Sequence, residues 1–359
     1  DELDSPRGRI YLIKQVLEGS SPTVTTQLHL DRCLTCRNCE TTCPSGVEYG
    51  RLADIGRQVV EERVERPLPG RLARRALRLL IPHRNRFAAL LWLGQTVRPL
   101  LPRGLKRRVP APSSARPRPQ TPHERKMLVL EGCVQPSLAP NTNAAAARVL
   151  DRLGVELVAA EDTCCGAVSH HLSATAEGLD YMRRNIDVWW PHIEAGAEAI
   201  VITASGCGAM VREYGHLLRH DPQYADKAKR VSELSRDLSE VLAGEDLSAL
   251  ASAGERPRVA FHPPCTLQHG LRVRGVVERI LADAGFELTP VPDAHLCCGS
   301  AGTYSILQPG LAGRLKEAKL KALGGGGPDV IATANIGCQA HLQSGTDLPV
   351  RHWIELLDA

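Results

Sequence analysis

Two stretches near the start of the chain carry apolar residues at helical spacing. In residues 7–18, Ile10, Ile13 and Leu17 fall on one helical face, and a glycine ends the pattern. Residues 47–65 repeat the spacing and stop before a proline. The pattern predicts two helices that bracket the polar stretch between them.

Residues 72–94 follow a different pattern, in which arginines oppose apolar side chains. Pro82 should divide this stretch into two short helices. Four arginines of the first helix lie opposite its leucines, and they are Arg71, Arg74, Arg75 and Arg78. A basic face opposite an apolar one suits an anionic membrane surface, and it suits packing against the rest of the protein as well. Both alternatives stay open at this point.

From residue 127 onward, short apolar runs alternate with helical stretches. The predicted strands are residues 127–130, 155–158, 200–203, 259–261, 287–291 and 330–333. Helices are expected at residues 141–153 and 172–195. This alternation predicts an α/β layer built on parallel strands.

The cysteines show that this region is a duplication. Four in the first half are answered by four in the second, at offsets of 132, 133 and 131 residues. They are Cys133, Cys164, Cys165 and Cys207 in the first unit, and Cys265, Cys297, Cys298 and Cys338 in the second. The flanking sequence agrees, since residues 199–208 (AIVITASGCG) match residues 329–338 (DVIATANIGC). We therefore expect two homologous units.

A compact run of four cysteines lies between the two N-terminal helices. Cys33, Cys36, Cys39 and Cys43 have the spacing C-x2-C-x2-C-x3-C-P, by which bacterial ferredoxins bind iron-sulfur clusters. A tight loop can present the first three thiolates to one 4Fe-4S cluster, while the fourth serves a second cluster. Zinc is the alternative, although zinc ligands usually form two separated C-x2-C pairs.

The second cluster should have a cysteine run of its own. The chain begins without an initiator Met, and no cysteine precedes Cys33. We therefore expect a fragment that has lost its first cluster motif. On that expectation the full-length domain holds two 4Fe-4S clusters, and at most one has a complete neighbourhood here.

These features predict an α+β fold, in which an N-terminal all-α ferredoxin-like domain precedes two α/β units with parallel sheets. Seven prolines in residues 99–122 indicate a semi-rigid linker ahead of the first unit. The expected segments are the cluster domain (residues 1–66), the basic helices and linker (67–125), the first cysteine-rich unit (126–245) and the second (256–359).

Charge and composition narrow the classes of function. Residues 60–126 hold 17 Lys and Arg against 4 Asp and Glu, within a chain of net charge +4. A nucleic-acid role would need a recognition fold or an aromatic stacking platform, and neither is evident. The longest apolar run, residues 87–94, is far shorter than a membrane span. Twelve cysteines in ligand-like groups, without a secretory signal, favour a reducing cytoplasm.

The duplicated cysteines have three possible roles. Four thiols per unit could hold a redox metal cluster, bind zinc or cycle as a disulfide. Each follows the carboxyl end of a predicted strand, the edge where open α/β sheets place their ligands, and nearby helix N-termini should favour thiolate. The neighbouring histidines could donate to sulfur or lie in half-exposed loops, and they are His170, His171, His262, His269 and His295.

Motifs along the whole chain resemble a known family. The segments HLDRCLTCRNCETTCPSGV, ASGCGAMVREYG, FHPPCTLQH, HLCCGSAGTYS and TANIGCQAHL, with the lead-in DELDSPRGRIYLIKQVLEG, are similar to the iron-sulfur subunits of bacterial glycolate oxidase (glycolate dehydrogenase). The resemblance implies FAD-binding partner subunits that oxidise glycolate to glyoxylate. This chain would relay electrons toward a quinone or membrane acceptor, from the cytoplasm or from the inner face of the cytoplasmic membrane.

The duplicated units, in turn, are similar to those of the cysteine-rich subunit of heterodisulfide reductase, where five cysteines can hold a noncubane 4Fe-4S cluster. This sequence departs from that pattern at the fifth position. Met210 stands after Cys207, and His341 stands after Cys338. Met and His can themselves ligate a metal.

Two other functions compete with this one. The same architecture serves D-lactate and glycerol-3-phosphate oxidation, which would change the partner and not the role of this chain. From another class, the chain could be a zinc-stabilised binding protein. No G-x-G-x-x-G lies between a predicted strand and helix, so we expect no flavin and no substrate-oxidising site on this chain.

Overall fold

The computed structural model describes residues 2–161, 163–250 and 256–358. The helices of the N-terminal part are α1 (Pro6–Leu17), α2 (Val24–Asp31), α3 (Asn38–Thr42), α4 (Tyr49–Arg63), α5 (Leu68–Leu80), α6 (Arg84–Val97) and α7 (Arg103–Lys106). The helices of the first unit are α8 (Gln135–Leu138), α9 (Asn141–Arg152), α10 (Ala167–His171), α11 (Thr175–Glu194), α12 (Ser205–Arg212), α13 (Tyr214–Leu217), α14 (Ala225–Leu234) and α15 (Leu238–Leu242). Those of the second are α16 (Val276–Asp283), α17 (Tyr304–Leu307), α18 (Pro309–Gly324), α19 (Ile336–Gln343) and α20 (Ile354–Leu357).

Seven strands are described. They are β1 (Arg125–Val129), β2 (Val155–Ala159), β3 (Ile200–Ile202), β4 (Ser235–Asp237), β5 (Val259–His262), β6 (Val330–Thr333) and β7 (Val350–His352).

The N-terminal part is all helical, as its pattern predicts. Helices α1, α2 and α4 pack around Ile13, Leu30 and Val60, each at most 2% exposed. Helix α1 is capped at its N-terminus by Ser5, whose side chain accepts the Gly8 N–H at 3.0 Å. This small core brings α1 and α4 together on either side of the cysteine run.

Helices α5 and α6 confirm the predicted pair divided by Pro82. Arg74 forms an ion pair with Asp31 at 2.9 Å, and Arg78 approaches Glu177 at 3.5 Å. These two arginines therefore form ion pairs within the protein. The apolar face of α5 points outward, with Leu72 56% exposed.

The first unit is built on a parallel four-stranded sheet in the order β2-β1-β3-β4. Its core strand β3 is fully buried, and helix α11 packs on it through Met182, Ile186 and Trp189. The predicted helices at residues 141–153 and 172–195 are confirmed as α9 and α11, the second beginning at Thr175.

The second unit repeats this layout with the parallel order β5-β6-β7. Strands β5, β6 and β7 take the places of β1, β3 and β4. The strand predicted at residues 287–291 was wrong, because only one bridge forms there, between Val259 and Leu288. Pro290 and Pro292 lack the N–H groups that a longer ladder needs. The duplication is thus visible in the strand order, and the α+β class is confirmed.

One apolar core spans both units. It joins Val149 and Leu150 of α9 to Trp353 and Ile354 at the end of the second unit, all fully buried. None of the helices among the described residues is long and apolar enough to cross a membrane.

Candidate metal centres

The loop of residues 33–43, here called the cysteine loop, is shaped by its backbone. Thr35 and Arg37 adopt positive φ angles of 53° and 57°, which turns the chain tightly between the first three cysteines. The Thr35 N–H points at the Cys33 sulfur, at 3.4 Å. Arg57 of α4 fixes the loop from behind, donating to the Cys33 carbonyl at 2.7 Å and to the Thr35 hydroxyl at 2.8 Å.

Cys33, Cys36 and Cys39 line a common cleft of about 720 Å³. Burial raises the pKa of both Cys36 and Cys39 to about 11. The Tyr49 hydroxyl, also on this cleft, is buried against the Cys33 sulfur, and burial together with this contact raises the pKa of Tyr49. A buried donor beside three thiols fits a sulfur-rich group, whose sulfurs accept such hydrogen bonds.

Cys43 follows α3 directly and does not line the cleft that the first three cysteines share. The N–H groups of Val47 and Ser45 donate to its sulfur and lower its pKa. The loop thus separates three thiols that share a cleft from a fourth that has its own donors.

The first unit brings its four cysteines into a chain of contacting sulfurs. Cys164 contacts Cys133 and Cys165, and Cys165 also contacts Cys207. Asn185 supports the adjacent pair by donating to the Cys164 carbonyl at 3.0 Å. The peptides that carry the thiols are therefore fixed by side chains of the unit's own helices.

The pKa values of Cys165 and Cys164 shift in opposite directions. The pKa of Cys165 lies well below the usual range because the Cys164 and Cys207 thiols donate to its sulfur, and the Ala167 N–H at the start of α10 adds to this. At Cys164 the pKa is raised instead, first by its contacts with Cys133 and Cys165 and then by burial. Four close sulfurs would be stabilised by a cation that replaces their protons.

The second unit has the same arrangement. The sulfurs of Cys265 and Cys297 are 3.7 Å apart, and Cys298 contacts both Cys297 and Cys338. The contact with Cys297, together with burial, raises the pKa of Cys265. Asn335 donates to the Cys338 sulfur at 3.5 Å. Cysteines that are related by the sequence offset therefore occupy equivalent positions in the two units.

The glycine of each Cys-Cys-Gly triplet has a steric reason. Gly166 and Gly299 have φ angles of 87° and 88°. A Cβ atom at Gly166 would lie 2.8 Å from the Gly178 carbonyl, and one at Gly299 would lie 2.7 Å from the Ala312 carbonyl. Only glycine allows each triplet to turn this close to the backbone of α11 in the first unit and of α18 in the second.

The four cysteines of each unit are here called its sulfur group. Both sulfur groups open into one cavity of about 340 Å³, here called the shared cavity. The cysteines on its wall are Cys33, Cys133, Cys164, Cys165, Cys207, Cys265, Cys297 and Cys338. The two units are joined beside it, since the Ser205 N–H donates to the Ala334 carbonyl at 3.1 Å. The Gly206 N–H donates to the Asn335 side chain at 3.2 Å. Three separate cysteine groups thus converge on one place.

Contacts on both sides hold the cysteine loop against the units. Arg37 pairs with Glu213 of the first unit at 2.9 Å, and Thr41 meets His269 of the second at 2.9 Å. The Tyr304 hydroxyl of the second unit donates to the Arg32 carbonyl at 3.3 Å. The loop is wedged between the two units.

Most of the histidines singled out in the sequence make docking contacts. His170 and His171 lie 3.5 and 3.3 Å from the Asp54 carboxylate of α4. Burial alone would raise the pKa of Asp54, but these histidines hold it well below its usual range. His269 approaches the carbonyl of the exposed His295 at 3.0 Å. These residues join parts of the protein.

His262 is the exception, because it lies within the second sulfur group. One of its ring nitrogens, the Cys298 sulfur and the Cys338 sulfur lie within 4.8 Å of one another. The sequence left two alternatives for His262, a donor to sulfur or a half-exposed loop residue, and its exposure of 0% contradicts the second. The two residues at the fifth position differ from it: Met210 is buried in the first unit's core, and His341 approaches the Ala312 carbonyl at 3.4 Å.

Comparisons with known proteins agree with this geometry. Residues 127–212 and 259–343 each match the family model of the cysteine-rich domain named CCG. The glycolate oxidase iron-sulfur subunit of Escherichia coli is 58% identical over 360 residues, which cover 100% of this chain and 88% of that protein.

Two further relatives are more distant. The probable glycolate oxidase iron-sulfur subunit of Bacillus subtilis is 30% identical over 377 residues, covering 96% of this chain and 84% of that protein. Lactate utilization protein A of Geobacillus thermodenitrificans is 28% identical over 244 residues, covering 65% of this chain and 98% of that protein. The resemblance seen in the motifs is confirmed: the chain belongs to the family of glycolate oxidase iron-sulfur subunits.

Proposed function

We propose that this chain is the electron-relay subunit of a glycolate oxidase. It would receive electrons from FAD-binding subunits that oxidise glycolate to glyoxylate and pass them toward a quinone. The observation that carries the proposal is the convergence of the cysteine loop and both sulfur groups on the shared cavity. Redox centres held there would lie close together, which is what electron relay requires.

The donor sets suit iron-sulfur clusters, which supply one-electron carriers held by thiolates. Cys33, Cys36 and Cys39 would hold a 4Fe-4S cluster, and Cys43 would serve a second one, as the fourth cysteine does in two-cluster ferredoxins. The sulfur groups of the two units would hold a further cluster or zinc. Their ligands would be Cys133, Cys164, Cys165 and Cys207 in the first unit, and Cys265, Cys297, Cys298 and Cys338 in the second.

The residues around the sulfurs would set the environment of these groups. Tyr49, Thr35 and Asn335 present N–H or O–H donors toward cysteine sulfurs. Such donors stabilise negative charge on sulfur and so raise the reduction potential. Tyr304 lies between the cysteine loop and the second unit, near both Cys33 and Cys297, where it would exclude water from the space between them.

Substrate oxidation is assigned to the partner subunits in this proposal. The four segments expected from the sequence, residues 1–66, 67–125, 126–245 and 256–359, would then be a cluster domain, a connecting segment and two metal-binding units. A cytoplasmic location, with contact at the inner face of the membrane, completes the proposal.

Helices α5 and α6 support that membrane contact. Their outward faces expose large apolar side chains, including Leu72 at 56% and Trp92 at 67%. Arg75 and Arg108 lie with these helices in residues 60–126, here called the basic segment. Apolar side chains beside cationic ones fit the interface of an anionic lipid bilayer. This surface would bring the subunit to its quinone.

The experiment that tests the function measures iron, sulfide and zinc in the anaerobically purified full chain. We expect iron and sulfide, with absorption near 400 nm that dithionite bleaches. The Cys36→Ala variant should lose the part due to the cysteine loop, and Cys165→Ala and Cys298→Ala should lose the parts due to the units. Zinc without iron in the folded protein would overturn the proposal.

The substrate is tested separately. The chain, purified together with its flavoprotein partners, should couple glycolate oxidation to quinone reduction faster than D-lactate oxidation. The opposite preference would replace glycolate in the proposal and leave the electron relay standing.

A further inference from the structure

His262 is a fully buried histidine without a visible partner for its ring. Its exposure is 0%, and neither ring nitrogen has a hydrogen-bond partner among the described residues. A buried polar group left unpaired costs about 1–3 kcal/mol, so such groups are rare and call for an explanation. The backbone of His262 is satisfied, since its carbonyl accepts the Thr333 hydroxyl at 3.1 Å.

The surroundings of the ring supply that explanation. The Cys298 and Cys338 sulfurs lie within 4.8 Å of the imidazole and of each other. Imidazole nitrogen and thiolate sulfur together bind borderline metals such as Zn²⁺ and iron, with metal–ligand distances of about 2.0–2.3 Å. Three donors with this spacing need only a small contraction to close around one ion.

The duplication shows that packing does not require a histidine at this position. At the offset that relates Cys265 to Cys133, the counterpart of His262 in the first unit is Leu130. Leu130 is 2% exposed and packs in the first unit's core. An aliphatic side chain therefore suits the end of this strand, and the imidazole is a feature of the second unit alone.

A buried cation accompanies the histidine in the second unit. Lys319 is 3% exposed, donates to the Asp293 carbonyl at 2.7 Å, and lies near Cys297 and Cys298. An ammonium group beside several thiols offsets the negative charge that a thiolate-bound metal carries.

We propose that a ring nitrogen of His262 binds a metal directly, together with the thiolates of Cys298 and Cys338. The second unit then holds a mixed nitrogen–sulfur centre, whereas the first unit holds sulfur ligands only. The metal is an iron of a cluster or a single zinc ion. This inference deepens the proposed function, since it concerns the metal of one of the two units.

The test compares wild type with His262→Leu, which places the first unit's residue in the second. X-ray absorption spectra are recorded at the iron and zinc edges of the anaerobically prepared full chain. We expect imidazole scattering at one edge in wild type and its loss in His262→Leu. Metal binding in the second unit should weaken more than about tenfold, the loss that even an outer ligand-supporting residue causes.

The matched control is His341→Leu, which removes a neighbouring imidazole directed at a backbone carbonyl. It should keep the imidazole signal at full amplitude. The stability of the metal-free protein is a second measurement, and it distinguishes a metal ligand from a histidine whose role is purely structural. Without metal, His262→Leu should be at least as stable as wild type, because an unpaired buried polar group is removed.

Three results would overturn the inference. The first is imidazole scattering that persists in His262→Leu, and the second is metal in the second unit of wild type without imidazole scattering. Neither affects the electron-relay function. The third is a Cys338→Ala variant whose metal content equals that of the wild-type protein. Iron lost in Cys36→Ala would still support the cluster of the cysteine loop in that case.

Discussion

The Arg37 guanidinium, at the centre of the cysteine loop, lies 2.9 Å from the Glu213 carboxylate of the first unit. Burial opposes charge on both groups, but each charge stabilises the other, so that the pKa of Glu213 is lowered and that of Arg37 is raised. Arg51 adds a second contact to Glu213 at 3.2 Å. One carboxylate therefore anchors the loop beside the shared cavity.

Replacing this carboxylate should loosen the loop. Glu213→Gln removes the ion-pair partner of the half-buried Arg37 and leaves only the weaker attraction of Glu40 and Asp54, and we expect a loss of about 2 kcal/mol in the free energy of unfolding. Hydrogen exchange of the loop amides should rise as well. The control is Glu233→Gln, which removes an exposed pair with Arg230 at 3.7 Å. It should cost less than about 0.5 kcal/mol, and equal effects in the two variants would contradict the anchoring role.

The glycine of the second Cys-Cys-Gly triplet gives a steric prediction. Gly299→Ala forces a side chain into a left-handed conformation and against the Ala312 carbonyl at 2.7 Å. We expect a loss of about 3 kcal/mol or more, measured by urea unfolding, with less metal bound in the second unit.

Gly196 provides the matched control for the backbone conformation. Its φ angle of 94° is similar, and a Cβ atom there would meet nothing within 4 Å. Gly196→Ala should therefore cost only about 1 kcal/mol and leave the metal content unchanged. A loss as small in Gly299→Ala would show that the triplet can turn without its glycine.

Asp237 predicts a pH dependence of stability. Its carboxyl is buried at the start of α15, and burial raises its pKa from 3.8 to about 6 although Ser239 donates to Oδ1. Glu240 adds to the rise and Arg212 opposes it. Oδ2 has no partner among the described residues, which suits a protonated carboxyl. The folded state thus favours the neutral form of Asp237.

The sign follows from this preference. The contribution of Asp237 to stability is full below its unfolded pKa of 3.8 and is lost as the pH rises through about 6. Asp237→Asn keeps a neutral acceptor for Ser239, so it should become more stable relative to wild type as the pH rises. The difference should change by about 3 kcal/mol between about pH 4 and pH 8, at about 1.4 kcal/mol per pKa unit. Urea unfolding at several pH values checks it, and a difference independent of pH would refute it.

How much of this could be predicted depended on the strength of each local pattern. Periodicity located α1, α4, α5, α6 and most of the strands. Helix α2 was missed because its sequence VTTQLHLD has a weak apolar face, and its start depends on a capping interaction between Thr23 and Thr26. Strands β4 and β7 have three residues each, with an exposed arginine at the centre, and carry no apolar run.

The candidate centres show the same limit. Spacing identified every cysteine group, and the duplication implied that the two sulfur groups are equivalent. The contact of Arg37 with Glu213 joins residues 176 positions apart, so no local pattern could show it. The place of His262 among the sulfurs depends on how β5 and α19 converge, which became visible only in the fold.

The exposed face of α5 and α6 gives the last prediction. Leu72 and Trp92 are more than half exposed on adjacent helices of the basic segment. Burying such side chains in a lipid interface contributes about 1.5–3 kcal/mol each. The full chain should therefore bind vesicles that contain phosphatidylglycerol, and the double variant Leu72→Glu with Trp92→Glu should bind at least about tenfold more weakly in flotation assays.

Tyr11→Glu, at a residue 56% exposed on α1, is the control for adding an acidic residue to another exposed surface. It should bind as wild type does, because α1 lies outside the basic segment. Binding that survives the double variant, or that Tyr11→Glu weakens equally, would remove the membrane from the proposal and leave this face for a partner subunit.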